Sequence, residues 1–247
     1  KPYSYIGQIR GDSGSYTGFA IKRRVVVTAA QAVFDENTLS ITNGLQWIFQ
    51  RDRETREPVP QTPKGVYILD GYANQRISEN TPGNLSLASK DSNVAALYFD
   101  ADVARGGFSG FLSSDKNPNE FLTIDSPKIL AGYPIAGISP ANQGKLHQTA
   151  STSTALTYIS GRTFTTPLIR GTGGMEGSPL LVEYAGTSFL PAGIYVGGNT
   201  NGEFRSIDNQ MIDLFSRAEA SANGGENNTG GGITHTSVTS FGSPSQP

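Results

Sequence analysis

Few side chains in this 247-residue chain can act as bases or nucleophiles near neutral pH, for it has two histidines and no cysteine. The missing cysteine excludes disulfides, thiolate catalysis and cysteine-ligated zinc. His147 stands in SPANQGKLHQ, a stretch with the Pro, Gly and Asn of a loop, and His235 stands in a Gly- and Thr-rich tail, so both read as surface residues rather than general bases. One serine is flanked as a nucleophile would be, in Gly11-Asp12-Ser13-Gly14-Ser15. It lies between the β-like runs Tyr3 to Ile9 and Tyr16 to Ile21, and the motif reads as a hairpin turn. The overlapping Arg10-Gly11-Asp12, an adhesion tripeptide by composition, belongs to the same turn.

The elements that must position any chemistry are strands. Apolar and β-branched runs recur over Tyr3 to Ile9, Tyr16 to Ile21, Arg24 to Thr28, Val66 to Leu69, Val94 to Phe99, Lys128 to Ala131, Thr154 to Ile159, Pro179 to Tyr184 and Gly193 to Val196. No helix of ten or more residues is expected between them, which argues for antiparallel sheets closed into barrels or a sandwich rather than βαβ units. One helix is expected at 208–219, capped by Asp208, with Ile207, Met211, Ile212, Leu214, Phe215 and Ala218 on one stripe. The charged, Pro-rich RDRETREPVPQTP between Gln50 and Lys64 reads as an exposed hairpin insertion. Arg105 to Gly110 (RGGFSG) reads as the junction of two halves, about 1–104 and 105–207. From Ala220 the composition turns to Gly, Ser and Thr, so 220–247 reads as a linker followed by a strand.

With 19 basic and 21 acidic residues the formal net charge is -2, so no basic field exists to neutralise phosphates, and nucleic acid is not an expected partner. No run reaches the roughly 18 apolar residues of a spanning helix, and no direct membrane insertion is expected. Low charge, abundant Ser, Thr, Asn and Gly, and the absence of Cys suit an exported bacterial protein, extracellular or at the cell surface. The chain reads as already trimmed of a signal peptide.

Three separated segments, VVVTAAQAV (25–33), NVAAL (93–97) and GMEGSP (174–179), fall in one order, with Gly132-Tyr133-Pro134 and a GIYVGG run between and after them. Together they resemble the chymotrypsin-like serine proteases, with glutamyl-endopeptidase-like members among them, over about residues 3–219. The resemblance implies an all-β fold of two six-stranded antiparallel barrels with a C-terminal helix. It also implies that Gln31, Asn93 and Glu176 stand where that family has its general-base histidine, its aspartate and its nucleophilic serine. Gly174, Met175 and Glu176 would form the oxyanion-hole turn.

None of the three replacements preserves the chemistry. Gln cannot take and return a proton near neutral pH, Asn cannot stabilise an imidazolium, and a Glu carboxylate is a poor substitute for an alkoxide attacking an amide. No second carboxylate stands at these positions for paired-carboxylate hydrolysis. The Glu176 carboxylate is expected either on the glycine-permitted N–H donors of its own turn or bonded to Gln31 across the cleft. The expectation is therefore a pseudoprotease, a structural or protein-binding module of an exported protein, with no cofactor and no metal. The alternative is an active serine endopeptidase with a rearranged site, using Ser178 or a residue supplied by a partner.

The tail ITHTSVTSFGSPSQP (233–247) resembles the opening strand of a bacterial Ig-like repeat. Its alternating part, with Thr234, Val238 and Phe241, is expected to add as a strand to a sheet edge. The Gly-rich stretch 224–232 is flexible enough to reach away, so the favoured edge is that of another copy or of a following domain rather than its own barrel. A protein partner or further copies of the chain are the partners this implies.

Overall fold

The computed structural model describes residues 3–50, 58–113 and 120–238. The first half contributes β1 (Ile6–Gly11), β2 (Gly14–Lys22), β3 (Val25–Thr28), the short pair β4 (Phe34–Asp35) and β5 (Ser40–Ile41), β6 (Gln46–Phe49), β7 (Gly65–Leu69) and β8 (Ala95–Tyr98). The second contributes β9 (Ser126–Gly132), β10 (His147–Gln148), β11 (Thr152–Thr154), β12 (Thr157–Ser160), β13 (Thr163–Thr166), β14 (Pro179–Tyr184), β15 (Ser188–Gly197) and β16 (Gly202–Ser206). A last strand, β17 (Ile233–Ser237), comes from the tail. The first sheet runs β17-β7-β8-β3-β2-β1-β6. The second runs β10-β9-β14-β15-β16-β13-β12, with β11 also on β9. Trp47 and Gln61 exchange backbone hydrogen bonds of 2.8 and 2.9 Å, so the segment leading into β7 returns to β6 and closes the first sheet on itself.

Strand alternation explains why runs such as Val25-Val26-Val27 are apolar on both faces. Val26, Leu97, Val66 and Ile68 point into the first sheet's interior around Trp47, while Val25, Val27, Tyr67 and Tyr98 point outward to a second core. That second core is the seam between the halves, where Ile129, Ala131, Leu181 and Ile194 meet the first half. The second sheet's own interior holds Leu130, Phe164, Leu180, Val182 and Phe204. The seam is capped by α4 (Asn209–Ala222), which follows α1 (Asp70–Glu79), α2 (Leu87–Asp91) and α3 (Glu120–Thr123) in the chain and presents Met211, Leu214, Phe215 and Ala218. As expected, the Asp208 carboxylate accepts from the Met211 N–H at 3.1 Å, although the helix runs three residues beyond the expected end. Fully buried Arg205 braces the same corner, donating to Asp208 Oδ1 at 2.8 Å, the Ser206 carbonyl at 2.6 Å and the Asp91 carbonyl at 3.0 Å.

The hairpin reading of Gly11-Asp12-Ser13-Gly14 holds, since Gly11 and Gly14 pair across the β1–β2 turn. Two expectations need correction. A ten-residue helix, α1 (Asp70–Glu79), does lie between β7 and β8. Its buried residues are Tyr72 and Arg76, one apolar and one charged, so no apolar stripe marks it in the sequence. Arg76 donates to Glu36 Oε1 at 2.8 Å and to the carbonyls of Thr81 and Asn84 at 2.8 Å, and pairs with Glu79, which pins the loop at 80–85 against the first half.

The second correction concerns the tail. β17 pairs with β7 of its own chain, from Ile233 opposite Leu69 to Ser237 opposite Gly65, with Thr234 opposite Ile68. Val238 continues the contact through its N–H to the Lys64 carbonyl at 2.8 Å, while Phe241 lies outside the described residues. The linker does not reach away because Arg217 of α4 holds the carbonyls of Asn228 and Gly230 at 3.2 and 2.7 Å. Ile233 is buried in the seam core, and the His235 ring lies 4.9 Å from that of Tyr67. The Tyr98 hydroxyl donates to Asn227 Oδ1 at 3.2 Å, leaving its lone pair to accept from His235 Nε2 at 2.9 Å. Deleting residues 224–247 uncovers the β7 edge and part of the seam, so the truncated protein is expected to melt about 5–10 °C lower. Calorimetry showing an unchanged melting temperature would mean the strand adds nothing to the fold.

Candidate functional site

The three positions singled out in the sequence come from three different elements, and two of them meet directly. Gln31 is the middle residue of a single 3-10 turn (Ala30–Ala32) that follows β3, held in place by buried alanines on both sides. Asn93 precedes β8 and is fully buried. They bond reciprocally: the Gln31 N–H donates to Asn93 Oδ1 at 3.0 Å, and Asn93 Nδ2 donates to Gln31 Oε1 at 2.6 Å. The pair has the donor and acceptor matching of two neutral amides, with no proton to exchange near neutral pH.

Glu176 lies in the turn between Thr172 and Ser178, whose backbone is fixed from several directions. Met175 N–H donates to the Thr172 carbonyl at 3.0 Å, Gly177 N–H to Tyr195 at 2.8 Å, and Ser178 N–H back to Met175 at 2.9 Å. Gly177 adopts φ of 88°, and a Cβ there would come within 2.2 Å of the Thr17 carbonyl, so glycine is required by dihedral and by space alike. Thr17, fully buried in β2, ties this turn to the first half. Its hydroxyl donates to the Gly174 carbonyl at 2.9 Å and accepts from the Tyr133 N–H at 2.8 Å, and its own N–H donates to the Glu176 carbonyl at 3.1 Å.

Of the two positions open to the Glu176 side chain, the structure takes the first. The carboxylate folds back onto its own turn, with Oε2 accepting from the Gly174 N–H at 2.9 Å, and the N–H of Glu176 itself also stabilises the charge. Burial outweighs these donors and pushes the carboxyl above its ordinary value. Tyr16 and Tyr195 are also raised, by burial first and the Glu176 charge second, Tyr195 to about 12.

Two openings meet around Gln31, Gly83 and Leu85. One, of about 330 Å³, extends from Glu176 past Tyr195 to Gly197 and Asn199; the other, of about 380 Å³, runs toward Tyr16, Asp35 and Glu36. The Arg76-pinned loop forms the wall between them. Lys90 reaches the first opening, paired with Glu203. Thr17, Tyr16 and the Arg76 loop are site components that sequence reasoning missed, since none stands in a recognisable motif, and Tyr195, inside the GIYVGG run, was not assigned to the site.

The remaining candidates lie elsewhere or are inaccessible. His147 sits on β10 with Nε2 3.3 Å from the Asn142 carbonyl, and His235 sits in the Tyr67–Tyr98 cluster; neither lines these openings. Ser178 is fully buried, and its Oγ has no hydrogen-bond partner among the described residues. No group of three or more His, Asp or Glu placed to hold a metal occurs among the described residues.

No protein-family model matches the chain, and no curated protein matches it in sequence. Solved structures do match in shape. A Glu endopeptidase in complex with MPD superposes with a TM-score of 0.69 at 15% identity, over 89% of this chain and 92% of that one. A thermostable serine protease, AL20, from an extremophilic microorganism gives 0.63 at 14% identity, over 89% and 98%. At these identities the likeness is one of fold, and the chain has the chymotrypsin-like fold.

The raised carboxyl has a consequence for stability. Between the ordinary value of 4.5 and the raised one, the folded protein binds more protons than the unfolded chain, so stability falls as pH rises through that window. Glu176→Gln removes the partly desolvated charge while keeping an oxygen for the Gly174 N–H. The variant is therefore expected to be the more stable protein at neutral pH, with the gap closing on acidification at up to about 1.4 kcal/mol per pH unit. Urea unfolding at several pH values checks this; a variant less stable than the parent at neutral pH contradicts it.

Proposed function

We propose that this chain is a non-catalytic trypsin-like domain of an exported, extracellular or cell-surface protein, serving as a structural or protein-binding module. The observation that carries the reading is the Glu176 carboxylate on the Gly174 N–H. In an acyl-transfer enzyme such donors are kept for the oxygen of the tetrahedral intermediate, and here a side chain of the protein fills them. The Gln31–Asn93 amide pair supports it from the other side, because no group at these positions can shuttle a proton. The polar cleft around Gln31 supports binding, offering space on both sides of the Arg76-pinned loop. The outer edge of β17 is where further copies or a partner would add, since among the described residues β17 ends the sheet.

The alternative of an active endopeptidase needs a nucleophile with a base in reach, and the two histidines are engaged elsewhere while Ser178 is buried. The purified protein is expected to leave casein and peptide esters uncut and to resist labelling by a serine-directed organophosphonate. Labelling of any serine in the cleft would overturn the proposal. Restoring Gln31→His, Asn93→Asp and Glu176→Ser together is expected to recover measurable hydrolysis, with single restorations recovering little, because such residues act as a unit.

A further inference from the structure

We propose that the Gly174–Glu176 turn is a preorganised receptor for a carboxylate, that Glu176 is its internal and displaceable occupant, and that a partner's carboxylate binds the cleft by taking its place. This rests on the reading of the cleft as a protein-binding site and adds the class of group that it accepts.

The donors do not depend on the side chain they hold. The peptide unit that carries the Gly174 N–H is fixed through the Gly173 carbonyl, which accepts from the Ile135 N–H at 2.8 Å and the Ala136 N–H at 3.2 Å. The rest of the turn is held at the Gly174 carbonyl by the Thr17 hydroxyl, at the Glu176 carbonyl by the Thr17 N–H, and at the Met175, Gly177 and Ser178 N–H groups by Thr172, Tyr195 and Met175. The N–H of Gly174 thus keeps its direction when the Glu176 side chain leaves. The receptor therefore costs little reorganisation to reuse, as a site for an incoming anion requires.

The occupant is held weakly against exchange. Its carboxyl is half-buried at the edge of the opening, and the partial loss of water disfavours its charge more than the two N–H donors favour it. The opening of about 330 Å³ beside it has room for an arriving group and for the departing side chain. The titratable groups around it are Tyr16 on β2 and Tyr195 on β15, both raised above the ordinary tyrosine value of 10.0 and so neutral. Beyond Tyr16 lies Glu36, neutralised by Arg76, and beyond Tyr195 lie Glu203, paired with Lys90, and Arg170. Exchange of one carboxylate for another leaves this balance unchanged. Mild acidification protonates Glu176 before an ordinary carboxylic acid, which weakens its hold on the N–H donors while an external carboxylate stays charged.

The test uses the whole protein, with acetate as probe and chloride at equal ionic strength as control, following the Gly174 amide signal by NMR. In Glu176→Ala, acetate is expected to shift that signal saturably at about pH 7.5, and to bind the parent at least about tenfold more weakly; the difference is expected to narrow as the pH is lowered. In Glu176→Gln, acetate must compete with a neutral occupant, so its affinity is expected not to change with pH over the range in which acetate itself stays ionised. The Gln variant also decides the matter should the Ala variant not fold. A short peptide with a free C-terminal carboxylate and an amidated peptide with an internal Glu are then compared with a fully neutral amide, which shows whether chain termini or acidic side chains are preferred.

A folded Ala variant without a saturable shift overturns the proposal, as does a parent that binds acetate as well as the variant at about pH 7.5. Chloride acting as strongly as acetate, or carboxylate peptides binding no better than the neutral amide, overturns it too. Peptide hydrolysis by the parent protein would instead defeat the non-catalytic reading, and the acetate result would stand apart from it.

Discussion

Thr17 is the residue on which the arrangement of the site depends. It belongs to β2 of the first sheet, yet through one hydroxyl and one N–H it holds three backbone groups of the second half, those of Gly174, Tyr133 and Glu176. Its own carbonyl is held in turn by the Thr28 hydroxyl at 2.7 Å, at the end of the strand that leads to Gln31. A fully buried hydroxyl with donor and acceptor both satisfied is worth far more than its surface counterpart, because any shift of either half leaves polar groups unpaired away from water. The seam core around Ile129, Leu181 and α4 supplies the adhesion between halves, and Thr17 supplies their register.

That division separates the scaffold of the site from its reacting groups. The Gly174 N–H is oriented by the Gly173 carbonyl, held by the N–H groups of Ile135 and Ala136, and the Glu176 N–H by the Met175 carbonyl, held by the Ser178 N–H, while Thr17, Tyr195 and the space limits at Gly177 fix the rest of the turn. Gln31 and Asn93 likewise keep a rigid geometry through a reciprocal amide bond. The clamped turn and the two amides thus shape a polar cleft through backbone and neutral groups. The consequence is a site whose strongest donors face a side chain of the same turn.

Most strands were legible because the three cores bury both faces of the central ones, producing unmistakable apolar runs at Val25–Val27 and Ala95–Leu97. Thr163–Thr166 and Gly202–Ser206 were not, since threonines or a charged residue occupy positions that prove to be buried, Arg205 above all, and Gln46–Phe49 was not because its apolar run is only Trp47 to Phe49. Lys128 is a similar case: its stem is buried and its ammonium group is caught by the carbonyls of Ile124 at 2.8 Å and Thr154 at 2.6 Å. Helix α1 escaped because Arg76 occupies its buried face. The positions of Gln31, Asn93 and Glu176 could be found from ordered motifs, but the long-range contacts that hold their backbone could not. The bond from Thr17 to Gly174 spans 157 residues of sequence, and the tail's choice of β7 depends on Arg217 catching a linker that composition alone describes as free.

The site turns on one half-buried carboxyl group held on the N–H of Gly174. A titration of the Glu176 carboxyl carbon by NMR, with the Gly174 amide proton followed in the same samples, measures that directly. The prediction is a Glu176 midpoint above the 4.5 of an ordinary glutamate, with the Gly174 proton moving in step as the hydrogen bond weakens. A Glu176 that titrates like an exposed glutamate while the Gly174 amide stays still would contradict it.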